Sequence, residues 1–260
     1  MNIILHADDF GYDEETTKAT IELFDEGALT SATIMPNMPA TALAIEYAKN
    51  HPEFSFGVHL TYVDGLLPLT PAYQIRTLVD DYAQFLPSRE VRKKALTLRI
   101  RSGEIVSETM NQINRLRNSG VEISHLDSHG HLHKFPAFLL AMREVVKRTG
   151  IYKIRRVQNM FVHRPTISLS GILNSLFNMY IAKNFETTDY FYMPANQMDI
   201  FWGEAINRQM ESLRPEATIE IGVHPGHVDA WRSDEYRDML HFVQMINRDK
   251  HRFINWNNNL

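Results

Sequence analysis

The sequence contains no cysteine. Disulfide frameworks and thiolate metal sites are thereby excluded, and any metal must be held by His, Asp or Glu. A charge excess of one sign is missing as well. Lys and Arg number 27 against 31 Asp and Glu, a formal charge of -4, which supplies no basic field for nucleic acid. The one basic run, Arg89 to Lys94, reads as helix-surface charge. No long hydrophobic run occurs at the amino terminus, where MNIILHADDF turns polar at once, unlike a signal peptide or a membrane span. No membrane partner and a cytoplasmic location are the default expectations. Nothing repeats at a fixed period and no low-complexity linker divides the chain, so one domain over residues 1–260 is expected.

What is present is an average globular composition, 44% hydrophobic and 22% charged, at a length on which an α/β barrel folds around one core. Apolar, β-branched stretches alternate with segments of helical period. The pattern predicts strands at 2–7, 31–35, 54–61 and 121–128, with weaker ones at 152–157, 188–193 and 218–223. Helices are predicted at 14–26, 40–50, 104–119, 135–149, 168–183, 203–213 and 233–248. Strands alternating with helices imply a parallel sheet. The dinucleotide fingerprint is absent after the first strand, where Asp-Asp-Phe-Gly stands, and no Walker loop occurs, which favours a (β/α) barrel over an open sheet for the seven predicted strands. The connection 64–87 has no predicted structure. Its length suggests a lid touching substrate through Tyr62, Leu66 or Tyr73.

Four groups of polar residues fall at the ends of predicted strands, where barrels collect their chemistry. His6, Asp8 and Asp9 end the first strand. Two adjacent carboxylates repel unless a cation or hydrogen bonds compensate them, although Asp9 or Asp13 could instead cap the next helix. His59 interrupts the apolar run FGVHLTY. HLDSHGHLH puts His125, Asp127, His129, His131 and His133 on one side if extended, and His125, His129 and His133 together if helical. His224 follows the last predicted strand and precedes Pro-Gly. An Asp with two His is a metal set that leaves positions open for water and substrate, the arrangement amide hydrolysis requires alongside a base and an acid.

HADDFG (6–11), EGALTSATIMPN (26–37), GVHLT (57–61), HLDSHGHLH (125–133) and GVHPG (222–226) resemble, in order and spacing, the YdjC-like carbohydrate deacetylases of the ChbG and HpnK type. The resemblance spans nearly the whole chain. It implies a distorted, incomplete (β/α) barrel of about seven strands, and a metal-dependent hydrolase that removes acetyl groups from N-acetylglucosamine-containing oligosaccharides such as chitobiose or its phosphate. It also implies that Asp9, His59 and His129 bind one divalent ion, that Asp8 is the catalytic base and that His224 is the acid. His6, which stands where the family commonly has Asn, is a further candidate for contacting substrate or supporting the ligands, as are His125, Asp127, His131 and Arg155. The ion is expected to be Zn²⁺ or Mg²⁺, with mixed imidazole and carboxylate donors suiting Zn²⁺ more naturally. A homodimer is left open. The competing readings are a glycosidase or phospho-disaccharide-cleaving hydrolase on the same scaffold, and a non-enzymatic sugar-binding protein.

Overall fold

The first strand, β1 (Asn2–Phe10), continues past Ala7 through both aspartates. It is followed by α1 (Glu14–Asp25), whose cap is Asp13: its carboxylate accepts the Thr16 backbone N–H at 2.7 Å, which leaves Asp9 free of that task. The computed structural model describes all residues except 65, 164–168, 195–198, 200 and 259. The chain then forms β2 (Ser31–Ile34), α2 (Thr41–Asn50), β3 (Ser55–Leu60), α3 (Ser88–Leu96), α4 (Ser102–Asn118) and β4 (Ile123–Ser128). It continues as α5 (Pro136–Thr149), α6 (Leu169–Asn184), β5 (Tyr190–Tyr192), α7 (Trp202–Met210), β6 (Thr218–Val223), α8 (Ala230–Met245) and β7 (Arg252–Ile254).

All named strand pairs are parallel, in the order β4-β3-β2-β1-β6-β5. The sheet curls as a distorted (β/α) barrel. The strand expected at 152–157 is reduced to two isolated bridges, Ile154 with Leu126 on one side and Lys153 with Glu186 on the other, too short a pairing to make a regular strand. Arg155 N–H donates to Leu126 O at 3.1 Å and Ile154 N–H to Glu186 O at 2.9 Å, which carries the sheet from β4 toward β5. The seventh strand is instead β7, which pairs with residues 2–4 of β1 on the edge that β2 occupies only from His6 onward.

Apolar residues of one strand parity face the helices. Leu5, Ala7, Val58, Leu126, Ile219 and Ile221 are all buried in the main core. Phe10, Phe24 and Phe56 cluster beside them, and complete burial of such a ring stabilises by about 1.5–3 kcal/mol. The other parity faces inward and is polar: His6, Asp8, Ser31, Thr33, His59, His125, Asp127 and Glu220 are each at most 1% exposed. The carboxyl-terminal segment closes the lower end of this interior. Trp256 stacks on His125, with centroids 4.4 Å apart and planes at 11°.

The segment 64–87 is anchored on two sides. Glu108 of α4 accepts the backbone N–H groups of Leu69 and Thr70, Glu104 accepts that of Thr77, and Asn37, in the loop after β2, donates its Nδ2 to Leu67 O at 2.9 Å. Tyr62 is fully buried with its hydroxyl 2.5 Å from Thr109 Oγ1, a core residue with no access to substrate. Gly65 lies outside the described residues.

Candidate active site

Consecutive strand residues point to opposite faces, so Asp8 and Asp9 should diverge. They do not. The β1–β2 register shifts between Ala7 and Phe10, and Asp9 adopts φ 60°, a left-handed conformation that costs a non-glycine residue of order 1 kcal/mol. This bulge turns Asp9 back to the mouth of the barrel beside Asp8. There Asp9 Oδ1 lies 2.9 Å from His129 Nδ1 and 3.3 Å from His59 Nε2. One donor atom from each of the three falls within 4.8 Å of the others.

His59 is held from behind. Its Nδ1 donates to Asp127 Oδ1 at 2.8 Å, which directs Nε2 toward Asp9. The Thr33 hydroxyl donates to the other Asp127 oxygen at 3.1 Å. Burial opposes charge on the imidazole, but Asp127 and Asp8 outweigh it and push His59 up to about 10. Burial likewise opposes the Asp9 carboxylate, yet hydrogen bonds from His129 and His59 hold it well below the usual carboxylate range.

HLDSHGHLH is strand and then turn. His125 and Asp127 share the inward face of β4, and a 3₁₀ turn over 129–134 ends the period-two pattern. The turn passes through left-handed Gly130 and His131, φ 62° and 53°. His129 thereby reaches Asp9, and His131 stays half-buried, its ring at 68° to that of Phe191. His133 is buried with Nδ1 2.8 Å from Ser128 Oγ. His125 is fully buried against Trp256, so contact with substrate is closed to it.

Arg155 is fully buried at the centre of the interior and cannot meet substrate directly. Its Nη1 donates to both Asp8 oxygens, at 2.7 and 2.9 Å, and lies 2.5 Å from Asp127 Oδ2. Its Nε and Nη2 donate to Glu220 Oε1 at 2.9 and 2.7 Å. Burial pushes Glu220 up to about 7 against the pull of Arg155. His6 sits between Asp8 and Glu220, 3.5 and 3.6 Å away, with its ring nitrogens near the Ser31 and Thr33 hydroxyls.

His224 Nε2 faces Asp8 Oδ2 at 3.9 Å. Behind it, Glu235 of α8 accepts the His224 backbone N–H at 2.6 Å and lies 3.2 Å from its Nδ1. Burial lowers the imidazole, but Glu235 more than compensates and raises it above its ordinary 6.5. The side chains of His129 and His224 are 30% and 21% exposed, whereas those of Asp8, Asp9 and His59 are at most 2% exposed. The site is therefore open over the two histidines, and that is where a ligand can enter.

Sequence reasoning missed Glu220, Arg232 and Glu235. Glu220 had a signal, a carboxylate in the apolar strand TIEIGV. Arg232 and Glu235 had none, since Arg and Glu three apart on a helix read as solvated charge. Arg232 Nη2 donates to Asp9 Oδ2 at 2.7 Å. With it, the buried charges of the site become countable: carboxylates at Asp8, Asp9, Asp127, Glu220 and Glu235 face guanidiniums at Arg155 and Arg232. The surplus of negative charge reaches three when Glu220 is ionised. A dication beside neutral ligand imidazoles, with His224 protonated against Glu235, would balance it, and two ring nitrogens with one carboxylate oxygen are a suitable donor set.

The sequence comparisons agree in extent with this geometry. The family profile described as YdjC-like protein matches residues 2–252. The chain belongs to the YdjC-like family. Within it, a protein named carbohydrate deacetylase from Brevibacillus brevis is 34% identical over 230 residues, covering 88% of this chain and 83% of that one. Another of that name from Clostridium beijerinckii is 26% identical and covers 99% and 96% of the two chains. A third, from Geobacillus stearothermophilus, is 33% identical over 64% of each chain. Among solved structures, a proposed cellobiose-phosphate cleavage protein of Enterococcus faecalis V583 superposes with a TM-score of 0.79 at 21% identity, covering 98% of this chain and 97% of that one, which establishes a shared fold.

Proposed function

We propose that this YdjC-like protein is a metal-dependent carbohydrate deacetylase acting on N-acetylglucosamine-containing oligosaccharides, chitobiose or its phosphate among them. The observation that carries the reading is the convergence of Asp9, His59 and His129 at a mouth shared with the facing pair Asp8 and His224. Relatives named carbohydrate deacetylase, matched over most of the chain, support the reaction class.

Asp9, His59 and His129 would hold one divalent ion, Zn²⁺ in preference to Mg²⁺ because two of the donors are imidazoles. Such an ion, when bound, supplies polarisation of the acetyl carbonyl and acidifies water. Asp8, oriented by Arg155, accepts the proton of the attacking water as the new C–O bond forms. His224, oriented by Glu235, gives its Nε2 proton to the sugar nitrogen as the amide C–N bond breaks. Acetate and the free amine leave, and the glycosidic bond is untouched.

Acetate release from N-acetylated mono-, di- and trisaccharides, with and without 6-phosphate, tests the reading after chelation and metal add-back. Asp8→Asn and His224→Ala are expected to keep metal but lose roughly 10²-fold or more in kcat. Cleavage of the glycosidic bond without acetate release would replace the reading with a glycosidase. Near wild-type turnover by His224→Ala would remove that histidine as the acid.

A further inference from the structure

The residue on Asp9 that faces away from the histidines has a conspicuous build. Arg232 extends from the first turn of α8 into the site, and its side chain is 7% exposed. Its Nη2 holds Asp9 Oδ2 at 2.7 Å, while Oδ1 of the same carboxylate faces His129 and His59. The guanidinium lies over aromatic rings, 4.5 Å from the Trp231 centroid and 5.5 Å from that of Tyr12. Its Nη1 is buried and has no hydrogen-bond partner among the described residues. An arginine kept for stability alone would satisfy that group, because an unpaired buried donor costs about 1–3 kcal/mol.

The path of the side chain depends on a missing methyl group in the GVHPG motif. A Cβ at Gly226 would lie 2.9 Å from Arg232 Cδ and 3.0 Å from its Cβ, closer than carbon atoms approach. Those atoms are the root and stem of the side chain rather than its mobile end. Glu15 Oε2 would be the next atom, at 3.3 Å, so the glycine leaves clearance chiefly for Arg232.

We propose that Arg232 is the positioning residue of the metal centre: it occupies one oxygen of Asp9, confines the carboxylate to a single ligand oxygen, and reaches it only because residue 226 is glycine. The inference rests on the metal-centre reading above. An oxygen-poor set of two imidazoles and one carboxylate oxygen favours Zn²⁺ and Co²⁺, whereas a two-oxygen Asp9 would shift the site toward oxygen-seeking Mn²⁺ and Mg²⁺. Arg232 is thus a determinant of which metal the chain selects.

Wild type, Arg232→Met and Gly226→Ala are stripped with chelator and titrated with Zn²⁺ and Mn²⁺ by calorimetry, and the visible absorption of the Co²⁺ forms is recorded. Wild type is expected to prefer Zn²⁺ strongly and to give the intense cobalt bands of low coordination number. Both variants should lose tenfold or more of the Zn²⁺-over-Mn²⁺ preference, the scale on which groups behind metal ligands act. Their cobalt bands should weaken as Asp9 adds its second oxygen. Melting curves identify properly folded samples, and if Arg232→Met does not fold, Gly226→Ala alone decides. Folded variants with the wild-type preference and cobalt spectrum would overturn the role of Arg232. Wild type that binds no divalent ion would overturn the metal-centre reading and this inference with it, an outcome distinct from variants that match a metal-binding wild type.

Discussion

Glu235 touches His224 twice, at the backbone N–H and at the ring. The carboxylate fixes the direction in which Nε2 points and raises the imidazole above 6.5. If His224 is the acid, it must be protonated when the amine leaves, so the alkaline limb of the kcat profile is expected above pH 6.5. Glu235→Gln keeps the backbone hydrogen bond but removes the charge, and should move that limb toward acid. A pH–rate profile of the two proteins checks this, and an unmoved limb would detach Glu235 from the proton transfer. The same pair affects stability with a defined sign. Because the folded pKa is raised, its stabilisation is complete below the unfolded value near 6.5 and disappears as pH rises through the folded value.

At the scale of elements, the carboxyl-terminal segment does what no local pattern announced. Short β7 pairs with β1, and just beyond it Trp256 covers His125 while its backbone N–H donates to Ser55 Oγ at 3.0 Å. Lys153 Nζ donates to the carbonyls of Trp256 and Asn258 at 2.6 and 2.7 Å, tying the segment to the irregular stretch that continues the sheet beyond β4. Trp256→Ala is therefore expected to cost about 3–5 kcal/mol and to admit water to the polar interior from below. Chemical denaturation measures the loss. A cost under about 1 kcal/mol would mean that the segment is a passive tail.

Over the whole molecule, the buried carboxylates outnumber the guanidiniums, with protonation of His59 as one partial remedy in the absence of metal. A bound dication would replace that remedy and stabilise the fold by linkage. At a metal concentration of 100 times Kd the gain is about 2.7 kcal/mol, which for a chain of this size is a rise in Tm on the order of 5–10 °C. Calorimetric scans with chelator and with Zn²⁺ provide the check. Identical melting temperatures would count against a single high-affinity site.

The sequence by itself determined the alternation of elements and the parity within each strand, because burial of one face imposes a period that is written locally. It also marked Asp8, Asp9, His59, His129 and His224 at strand ends, through four motifs whose order matches one family. Only the tertiary structure decided that adjacent aspartates face the same mouth, since this takes a bulge and a left-handed φ at Asp9 that hydrophobic periodicity does not encode. It likewise decided that residues 64–87 are tied to α4 and that 152–155 bridges rather than forms a regular strand. The groups that orient the site, Glu220, Arg232 and Glu235, are brought to it from β6 and α8. Arg232 meets Asp9 across 223 residues of sequence, and Coulombic pairing depends on distance in space, which no local pattern records.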